Sequence, residues 1–308
     1  MDKKVPILSV KDLEVGFDLP EGRMMAVKKA SFKIFPGKTV ALVGESGSGK
    51  SVISQTIMGL LPSQAKIYGG SILFSPNSKN KPTIDIAALN PSGKPIRDIR
   101  GGQISIIFQE PMTSLSPLHT IGNQILEALM LHRRLHTDEA TQVVMDMLRL
   151  VGFPDPKRGF KTYPFELSGG LRQRSMIAMA LICRPCLLIA DEPTTALDVT
   201  IQAQILKLMK DLQAEFEMAL LMITHDLGVV ANMADDVVVM YRGEIMETGS
   251  VEDIFERAEH PYLKSLMAAV PRFDMEEGER LIPIRNIDSK SSPLLKSNPK
   301  NLEVAKTL

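Results

Sequence analysis

The octapeptide GESGSGKS at residues 44–51 restricts the fold of this chain more than any other stretch of the sequence. It follows TVALVG, an apolar run with the length of a buried strand, and it precedes KSVISQTIMGLL, whose apolar residues recur with the period of a helix. A glycine-rich loop between a strand and a helix directs backbone N–H groups and a helix N-terminus towards one point, which favours a bound phosphate. The sequence therefore predicts an α/β fold of the P-loop type.

The pattern G-x-x-x-x-G-K-[ST] also predicts a role for each residue of the loop. Lys50 is expected to reach the β- and γ-phosphates of a nucleotide, and the hydroxyl of Ser51 is expected to bind Mg²⁺. The residues predicted to surround the phosphates are Gly44, Glu45, Ser46, Gly47, Ser48, Gly49, Lys50 and Ser51.

Polar residues also follow three other apolar runs that are expected to be strands. LLIADE ends in Asp191, which is expected to bind Mg²⁺, and in Glu192, which is expected to lie near a hydrolytic water. Gln109 follows ISIIF, and His225 follows the run that ends in MIT. Taken alone, each is as often or more often a strand end that meets solvent. Their shared position at the carboxyl edge of a parallel sheet, where doubly wound folds bind ligands, favours a function.

A second candidate anion site lies more than a hundred residues beyond the first. ELSGGLRQRS at residues 166–175 places Ser168, Gly169 and Gly170 at what is predicted to be the first turn of a helix. In principle the two phosphate sites could close on one nucleotide within a single chain. They could also belong to two different nucleotides.

The order of patterns along the chain predicts its organisation. The first forty residues read as an antiparallel sheet, residues 75–103 as an exposed insertion or loop, and residues 121–152 as helical, with Thr137 as an N-cap and Gly152 as the stop. Strands and helices then alternate, which indicates a parallel sheet with helices on its faces. Most of the 18 methionines fall on apolar faces and are expected to pack in the core.

Composition narrows the possible functions. The 36 basic and 36 acidic residues cancel, which argues against a nucleic-acid-binding protein. No apolar run reaches the length of a membrane span and the N-terminus does not resemble a signal peptide, so the chain is expected to stay in the cytosol. Cys183 and Cys186 are expected to be reduced thiols rather than zinc ligands or a redox pair.

Six motifs occur along the chain in this order: GESGSGKS, IIFQEP, LSGGLRQR, LLIADEPT, TALD and MITHD. Together they resemble those of the ATP-binding subunit of an ATP-binding cassette (ABC) transporter. The resemblance covers roughly residues 7–272, and QEPMTSLSP, LSGGLRQR and HPYLKSLMAAVP resemble the oligopeptide and dipeptide permease branch. It implies a P-loop NTPase (RecA-like) core with an N-terminal antiparallel β subdomain and an inserted α-helical subdomain at about 110–180. The ATPase domain is then residues 1–272, and the polar segment 273–308 is expected to be a poorly ordered tail.

The resemblance also implies roles for single residues. Phe17 matches the aromatic residue that stacks on adenine, Gln109 the glutamine that senses Mg²⁺ and the attacking water, and Glu192 the general base. His225 matches the histidine that contacts the γ-phosphate, and Asp198 an acidic residue in a loop that crosses between subunits.

Two departures from the family pattern change what is expected. Leu171 stands where the family usually has glutamine, which affects a side-chain contact there but not the amide contacts of the two preceding glycines. No cysteine follows Cys186, so no iron–sulfur cluster of the kind found in some members of the peptide branch is expected.

The resemblance further implies that two cassettes, identical or merely related, pair head to tail, with Ser168, Gly169 and Gly170 of one contacting ATP held by the other. Two transmembrane permease subunits and an extracytoplasmic solute-binding protein are the other expected partners, with this chain at the cytoplasmic face of the inner membrane. Two alternatives fit less well. A nucleic-acid clamp usually has coiled-coil insertions or a second P-loop, and a simple P-loop kinase leaves LSGGLRQR and THD unexplained.

Overall fold

The computed structural model describes residues 5–76, 82–109, 114–195 and 197–269. These residues form two compact units, each built from several separate stretches of chain. We call residues 8–34, 38–73 and those from 221 onward the P-loop unit, and residues 5–7, 35–37 and 74–220 the helical unit. The predicted tail at 273–308 and the domain boundary at 272 lie outside the described residues.

The strands, in chain order, are β1 (Leu8–Leu19), β2 (Gly22–Ile34), β3 (Thr39–Val43), β4 (Ala65–Phe74), β5 (Ile84–Asp85), β6 (Ile104–Ile107), β7 (Leu187–Asp191), β8 (Ala219–Thr224), β9 (Asp236–Tyr241) and β10 (Glu244–Ser250). The α-helices are α1 (Lys50–Ile57), α2 (Lys94–Ile99), α3 (Ile121–Met130), α4 (Thr137–Leu150), α5 (Pro156–Lys161), α6 (Gly169–Leu181), α7 (Val199–Phe216), α8 (Leu227–Met233), α9 (Val251–Glu256) and α10 (Pro261–Ala268). Two short 3-10 helices are Ile86–Ala88 and Pro164–Glu166.

The P-loop unit contains the antiparallel sheet predicted for the start of the chain. β1 pairs antiparallel with β2, from Leu8 opposite Ile34 to Leu19 opposite Gly22, and β4 lies on the other side of β1. Leu8, Val10, Leu13 and Val15 are buried on β1, where branched apolar side chains suit a sheet that packs on a core. The prediction of an antiparallel start is confirmed.

A second group of strands in the same unit carries the glycine-rich loop. All five residues of β3 are buried, and β3 is parallel to β9, which is in turn antiparallel to β10. A single apolar cluster joins β3 and β9 to the helices α8, α9 and α10; its members include Ala41, Val43, Val230, Val239, Ile254, Phe255 and Leu263. This packing fixes the end of β3, from which the loop emerges.

The helical unit contains a second parallel pair, with β6 beside β7 from Ile104 opposite Leu187 to Ile107 opposite Ala190. Helices α3, α4, α5 and α6 pack against one another. A Cβ on Gly122 would lie 2.2 Å from the ring of Phe160, so glycine is what lets α3 and α5 approach so closely. The parallel strands and the helices around them are thus as predicted, but the strand predicted at 104–109 ends at Ile107, so Gln109 lies just beyond it.

Two local predictions were wrong. Thr137 is the first residue of α4, not its N-cap; His136 has the extended backbone of the cap position, although its side chain forms no capping bond. For residues 75–103, predicted as an exposed insertion or loop, the loop alternative is wrong over the described stretch 82–103, which includes β5, a 3-10 helix and α2, with Ile86, Ile96 and Ile99 buried. Because this segment is rich in proline and asparagine, the sequence did not indicate these three elements.

The predicted stop at Gly152 is confirmed. Its φ of 84° is left-handed, and its N–H donates to the carbonyl of Arg149 at 3.0 Å. Within the described ranges, no helix combines the length and apolarity needed to cross a bilayer.

Candidate nucleotide-binding site

The loop between β3 and α1 encloses the ammonium group of Lys50. This side chain is only 5% exposed, and its Nζ donates to the carbonyl oxygens of Gly44 at 2.7 Å and Glu45 at 2.8 Å. The hydroxyl of Ser48 lies 3.4 Å away. A buried ammonium group is costly unless it is compensated, and here the loop carbonyls compensate it. The loop therefore holds a positive charge beside the N-terminus of α1.

Glycine is required at two points of this loop for steric reasons. Gly44 has a φ of 157°, and a Cβ there would lie 2.2 Å from the carbonyl oxygen of Met240. Gly49 has a φ of 103°, and a Cβ there would lie 2.5 Å from the carbonyl oxygen of Ala26. Both glycines let the loop approach neighbouring backbone more closely than any side chain allows.

The turn between β9 and β10 forms backbone hydrogen bonds with the loop and with β2. The N–H of Gly243 donates to the carbonyl of Ser48 at 3.0 Å, and the carbonyl of Gly243 accepts from the N–H of Lys28 at 2.7 Å. The loop is thus tied to β2 and to the β9–β10 turn through backbone bonds. Such preorganisation lowers the cost of ordering the loop around a ligand.

These residues fit the phosphates and the metal that the sequence predicts. A loop closed around a lysine at a helix N-terminus is a cradle for phosphate oxygens. Ser51 is exposed at the start of α1. Its hydroxyl is a hard oxygen donor of the kind that Mg²⁺ prefers. Within the helical unit, the amide oxygen of Gln109 and the carboxylate of Asp191 are donors of the same kind.

In the helical unit, the structure brings together two residues predicted to act in hydrolysis. Glu192 directly follows β7, and its Oε2 accepts from Nε2 of Gln109 at 2.9 Å. The same oxygen accepts from the hydroxyl of Thr195, also at 2.9 Å. Two donors on one carboxylate oxygen fix its orientation. Thr195 was not singled out in the sequence, where nothing distinguishes it from a turn threonine.

The backbone of Glu192 has a φ of 47°, in the left-handed region that side chains rarely adopt. Such a conformation costs of order 1–3 kcal/mol and persists where the surrounding structure imposes it. It turns the chain directly after β7, so that Asp191 stays 7% exposed at the strand end while Glu192 is half-buried.

Gln173 is a second residue whose role the sequence did not reveal. It is 1% exposed within α6, and its Nε2 donates to the carbonyl of Pro193 at 2.6 Å. The helix that begins at the Ser-Gly-Gly turn therefore holds the residue directly after Glu192. The polar residue inside the motif LSGGLRQR was the available signal, but its target could not be read from the sequence.

Ser168 is the N-cap of α6, and its hydroxyl accepts from the N–H of Leu171 at 3.4 Å. Ser168 and Gly169 are exposed, and Gly170 is half-buried near Ile201. The prediction that this turn starts a helix is confirmed. An exposed helix start of this kind favours a bound anion.

The other predicted site residues have simpler surroundings. Asp198 is exposed and caps α7, its Oδ1 accepting from the N–H of Ile201 at 3.0 Å. In the P-loop unit, His225 is exposed directly after β8, and Phe17 is half-buried on β1 opposite Met24.

Comparison with known proteins decides what this arrangement of motifs represents. A family model described as ABC transporter matches residues 27–195. The chain belongs to the ABC transporter family. The fold and the ATPase class predicted from the sequence are confirmed by this match, and the cassette is an ABC-type ATPase domain.

Two relatives resemble this cassette over most of its length. The dipeptide transport ATP-binding protein DppD of Bacillus subtilis is 53% identical over 279 residues, which cover 90% of this chain and 80% of DppD. The oligopeptide transport ATP-binding protein AmiE of Streptococcus pneumoniae is 47% identical over 277 residues, covering 90% of this chain and 76% of AmiE. The predicted resemblance to the peptide branch is confirmed.

Solved structures agree with the fold. The cassette is similar to the dimeric bacterial ABC transporter cassette MJ0796, with a TM-score of 0.68 and 26% identity over 79% of this chain and 98% of MJ0796. MJ0796 has also been solved as a dimer in a post-hydrolysis state bound to ADP and Pi. CbiO1 of Clostridium perfringens, part of the transporter complex CbiONQ, gives a TM-score of 0.67 and 29% identity over 82% of this chain and 91% of CbiO1.

Proposed function

We propose that this cassette is the ATP-hydrolysing subunit of an importer that takes up peptides or related small solutes through separate membrane permease subunits. The observation that carries the proposal is the Lys50-centred loop, in a chain that is about half identical to peptide transport ATP-binding proteins. As part of this transporter, the cassette would lie at the cytoplasmic face of the inner membrane. An extracytoplasmic binding protein is expected to deliver the solute.

In the proposed binding step, Lys50 exchanges its bonds to the Gly44 and Glu45 carbonyls for the β- and γ-phosphate oxygens of ATP. The loop N–H groups bind the same phosphates, and Phe17 stacks on the adenine. Ser51, Gln109 and Asp191 hold Mg²⁺, which supplies compensating charge at the phosphates when it is bound.

In the proposed hydrolytic step, Glu192 accepts a proton from the attacking water. Gln109 and Thr195 orient the carboxylate of Glu192, since both donate to its Oε2. Lys50 and His225 stabilise the negative charge that develops on the γ-phosphate. The bond from Gln173 to Pro193 supports the turn that presents Glu192.

Two cassettes are proposed to close on two ATP molecules. Ser168, Gly169 and Gly170 of one cassette bind the γ-phosphate of ATP held by Lys50 of the other, and Asp198 lies in the loop that crosses the interface. The exposed N-terminus of α6 supports this proposal, as does the dimeric structure of MJ0796. Shifting a two-state protein from about 1:99 to 99:1 needs roughly 5.5 kcal/mol of differential binding. Several charge-assisted bonds at each of two phosphates, about 1.5–3 kcal/mol apiece, can supply it.

Lys50→Ala tests the binding step. The variant is expected to weaken ATP binding at least about tenfold. A hydrogen bond to a charged group contributes about 1.5–3 kcal/mol, and Lys50 is proposed to make more than one such bond to the phosphates. ATP affinity is measured by calorimetry in the presence of Mg²⁺. Lys207→Ala, on the exposed side of α7, is the matched control and should bind as the unaltered cassette does. Equal affinities for all three proteins would refute the proposed nucleotide site.

The permease contact is proposed to involve two aromatic rings just before α6. Tyr163 and Phe165 are stacked with centroids 5.5 Å apart and are 37% and 65% exposed. Exposed aromatic residues are enriched in protein interfaces. Nε of Arg172, on α6, donates to the carbonyl of Pro164 at 2.7 Å, so the same helix supports both the rings and the Ser168 turn. A cytoplasmic helix of the permease pressing on these rings would thus act on the turn that contacts ATP.

Phe165→Asp should abolish co-purification with the permease subunits proposed as partners, because a charge would be desolvated at the interface. ATP binding by the isolated cassette should not change. Leu131→Asp, at a residue 74% exposed after α3, is the control and should still co-purify. Retention of the permease by the Phe165 variant would rule out this docking surface.

A further inference from the structure

The segment His260–Tyr262 belongs to HPYLKSLMAAVP, a motif that none of the steps above uses. It begins α10, with Pro261 at the first helical position and His260 as N-cap, whose Nδ1 accepts from the N–H of Tyr262 at 3.1 Å. Proline is favoured at this position because its fixed φ suits a helix start. The helix is short, but its start is sharply defined.

Glu247, on β10, holds this start in place. Its Oε1 accepts from the N–H of Glu259 at 3.0 Å, and its Oε2 accepts from the N–H of His260 at 2.8 Å. A carboxylate that binds two consecutive N–H groups leaves the peptide between them little freedom. The position of the side chains on the first turn of α10 is therefore set by the sheet.

Tyr262 projects from this turn to the phosphate loop. Its hydroxyl oxygen accepts from the backbone N–H of Glu45 at 3.3 Å, and its ring contacts that of Tyr241 with centroids 4.3 Å apart. Tyr262 is 8% exposed, and burial raises the pKa of its hydroxyl to about 12. A tyrosine hydroxyl is already neutral at physiological pH, so this one remains a hydrogen-bond partner for the loop there.

Glu45 connects Tyr262 to Lys50. The N–H of Glu45 is held by Tyr262, and the carbonyl of Glu45 accepts from Nζ of Lys50 at 2.8 Å. We infer that Tyr262 is a positioning residue, which holds the phosphate loop in its binding geometry through Glu45 and so raises the affinity for ATP. The inference rests on the proposed nucleotide site and adds to it a structural role for the C-terminal helix of the described chain.

Tyr262→Phe tests this role while keeping the ring and its packing. The variant leaves the N–H of Glu45 without its acceptor. The loss of one neutral hydrogen bond corresponds to about a three- to tenfold rise in the dissociation constant of ATP. Hydrogen exchange of the 44–51 peptide, measured in the absence of nucleotide, should be faster, with exchange in the apolar core unchanged.

Tyr241→Phe is the matched control, because it removes the hydroxyl of the neighbouring ring. Among the residues that the structure describes, that hydroxyl makes no hydrogen bond to the loop, so both readouts should equal those of the unaltered cassette. Glu247→Ala should speed loop exchange as Tyr262→Phe does, since it releases the start of α10. If Tyr262→Phe leaves both ATP affinity and loop exchange unchanged, the inference is wrong.

The two readouts separate this inference from the proposed function. Exchange in the nucleotide-free cassette reports on the contact between Tyr262 and the loop even if the cassette does not bind ATP. A failure of the proposed function would instead appear as equal ATP affinities of the unaltered protein and Lys50→Ala. Faster loop exchange with unchanged ATP affinity would refute the positioning role, because the contact would then exist without contributing to binding.

Discussion

Glu192→Gln is expected to slow ATP hydrolysis by about 10²- to 10⁴-fold, the usual contribution of a general base, without weakening ATP binding. An amide of nearly the same shape keeps an oxygen that can accept from Gln109 and Thr195. It cannot take the proton of the attacking water. Single-turnover hydrolysis with excess enzyme measures the chemical step directly.

The same variant should accumulate as a dimer in the presence of ATP, because the γ-phosphate contacts that close two cassettes are no longer lost. Size-exclusion chromatography with ATP and Mg²⁺ would show the shift. Glu215→Gln, at an exposed position of α7, makes the same chemical change away from the site and should hydrolyse ATP normally. Normal turnover by the Glu192 variant would contradict its assignment as the base.

The contacts that could be expected from the sequence are those that follow from consecutive residues or from the order of neighbouring strands. Lys50 lies in a loop whose strand, glycines and helix are consecutive, so its surroundings could be expected from a single stretch. Glu192 and Gln109 could be expected to meet, because parallel strands present their carboxyl ends at one edge, and β6 does lie beside β7. The first inference needs only consecutive residues, and the second needs only strand order and direction.

The residues that were missed depend on contacts between distant segments. Gln173 is 20 residues from Pro193, Tyr262 is 217 residues from Glu45, and no pattern in the sequence specifies either pairing. The error at Thr137 has another cause, since His136 and Thr137 are adjacent and propensity favours threonine as the cap. Boundaries of this kind shift by one residue with the backbone conformation, which propensity alone does not determine.

Gly169→Asp is expected to abolish closure of two cassettes and to reduce hydrolysis at least about 100-fold, while ATP affinity changes by less than about twofold. The structure explains why the cassette should remain folded. Gly169 is exposed, and its φ lies outside the left-handed region. Among the residues that the structure describes, the one atom within 4 Å of a Cβ there is Leu197 Cδ2, at 3.7 Å. An acidic residue in the first turn of α6 also suits the helix dipole.

The expected loss comes instead from charge. A carboxylate at this exposed turn would face the γ-phosphate held by the second cassette, and like charges juxtaposed in an interface cost several kcal/mol, which is a factor of 100 or more. Gly169→Ala fills the same space without charge, so it should retain much of the activity and all of the ATP affinity. Dimerisation is followed by light scattering in the Glu192→Gln background, and affinity by calorimetry on the monomer. If Gly169→Asp weakened ATP binding as strongly as Lys50→Ala, the Ser168 turn and the Lys50 loop would have to act on one nucleotide within a single chain.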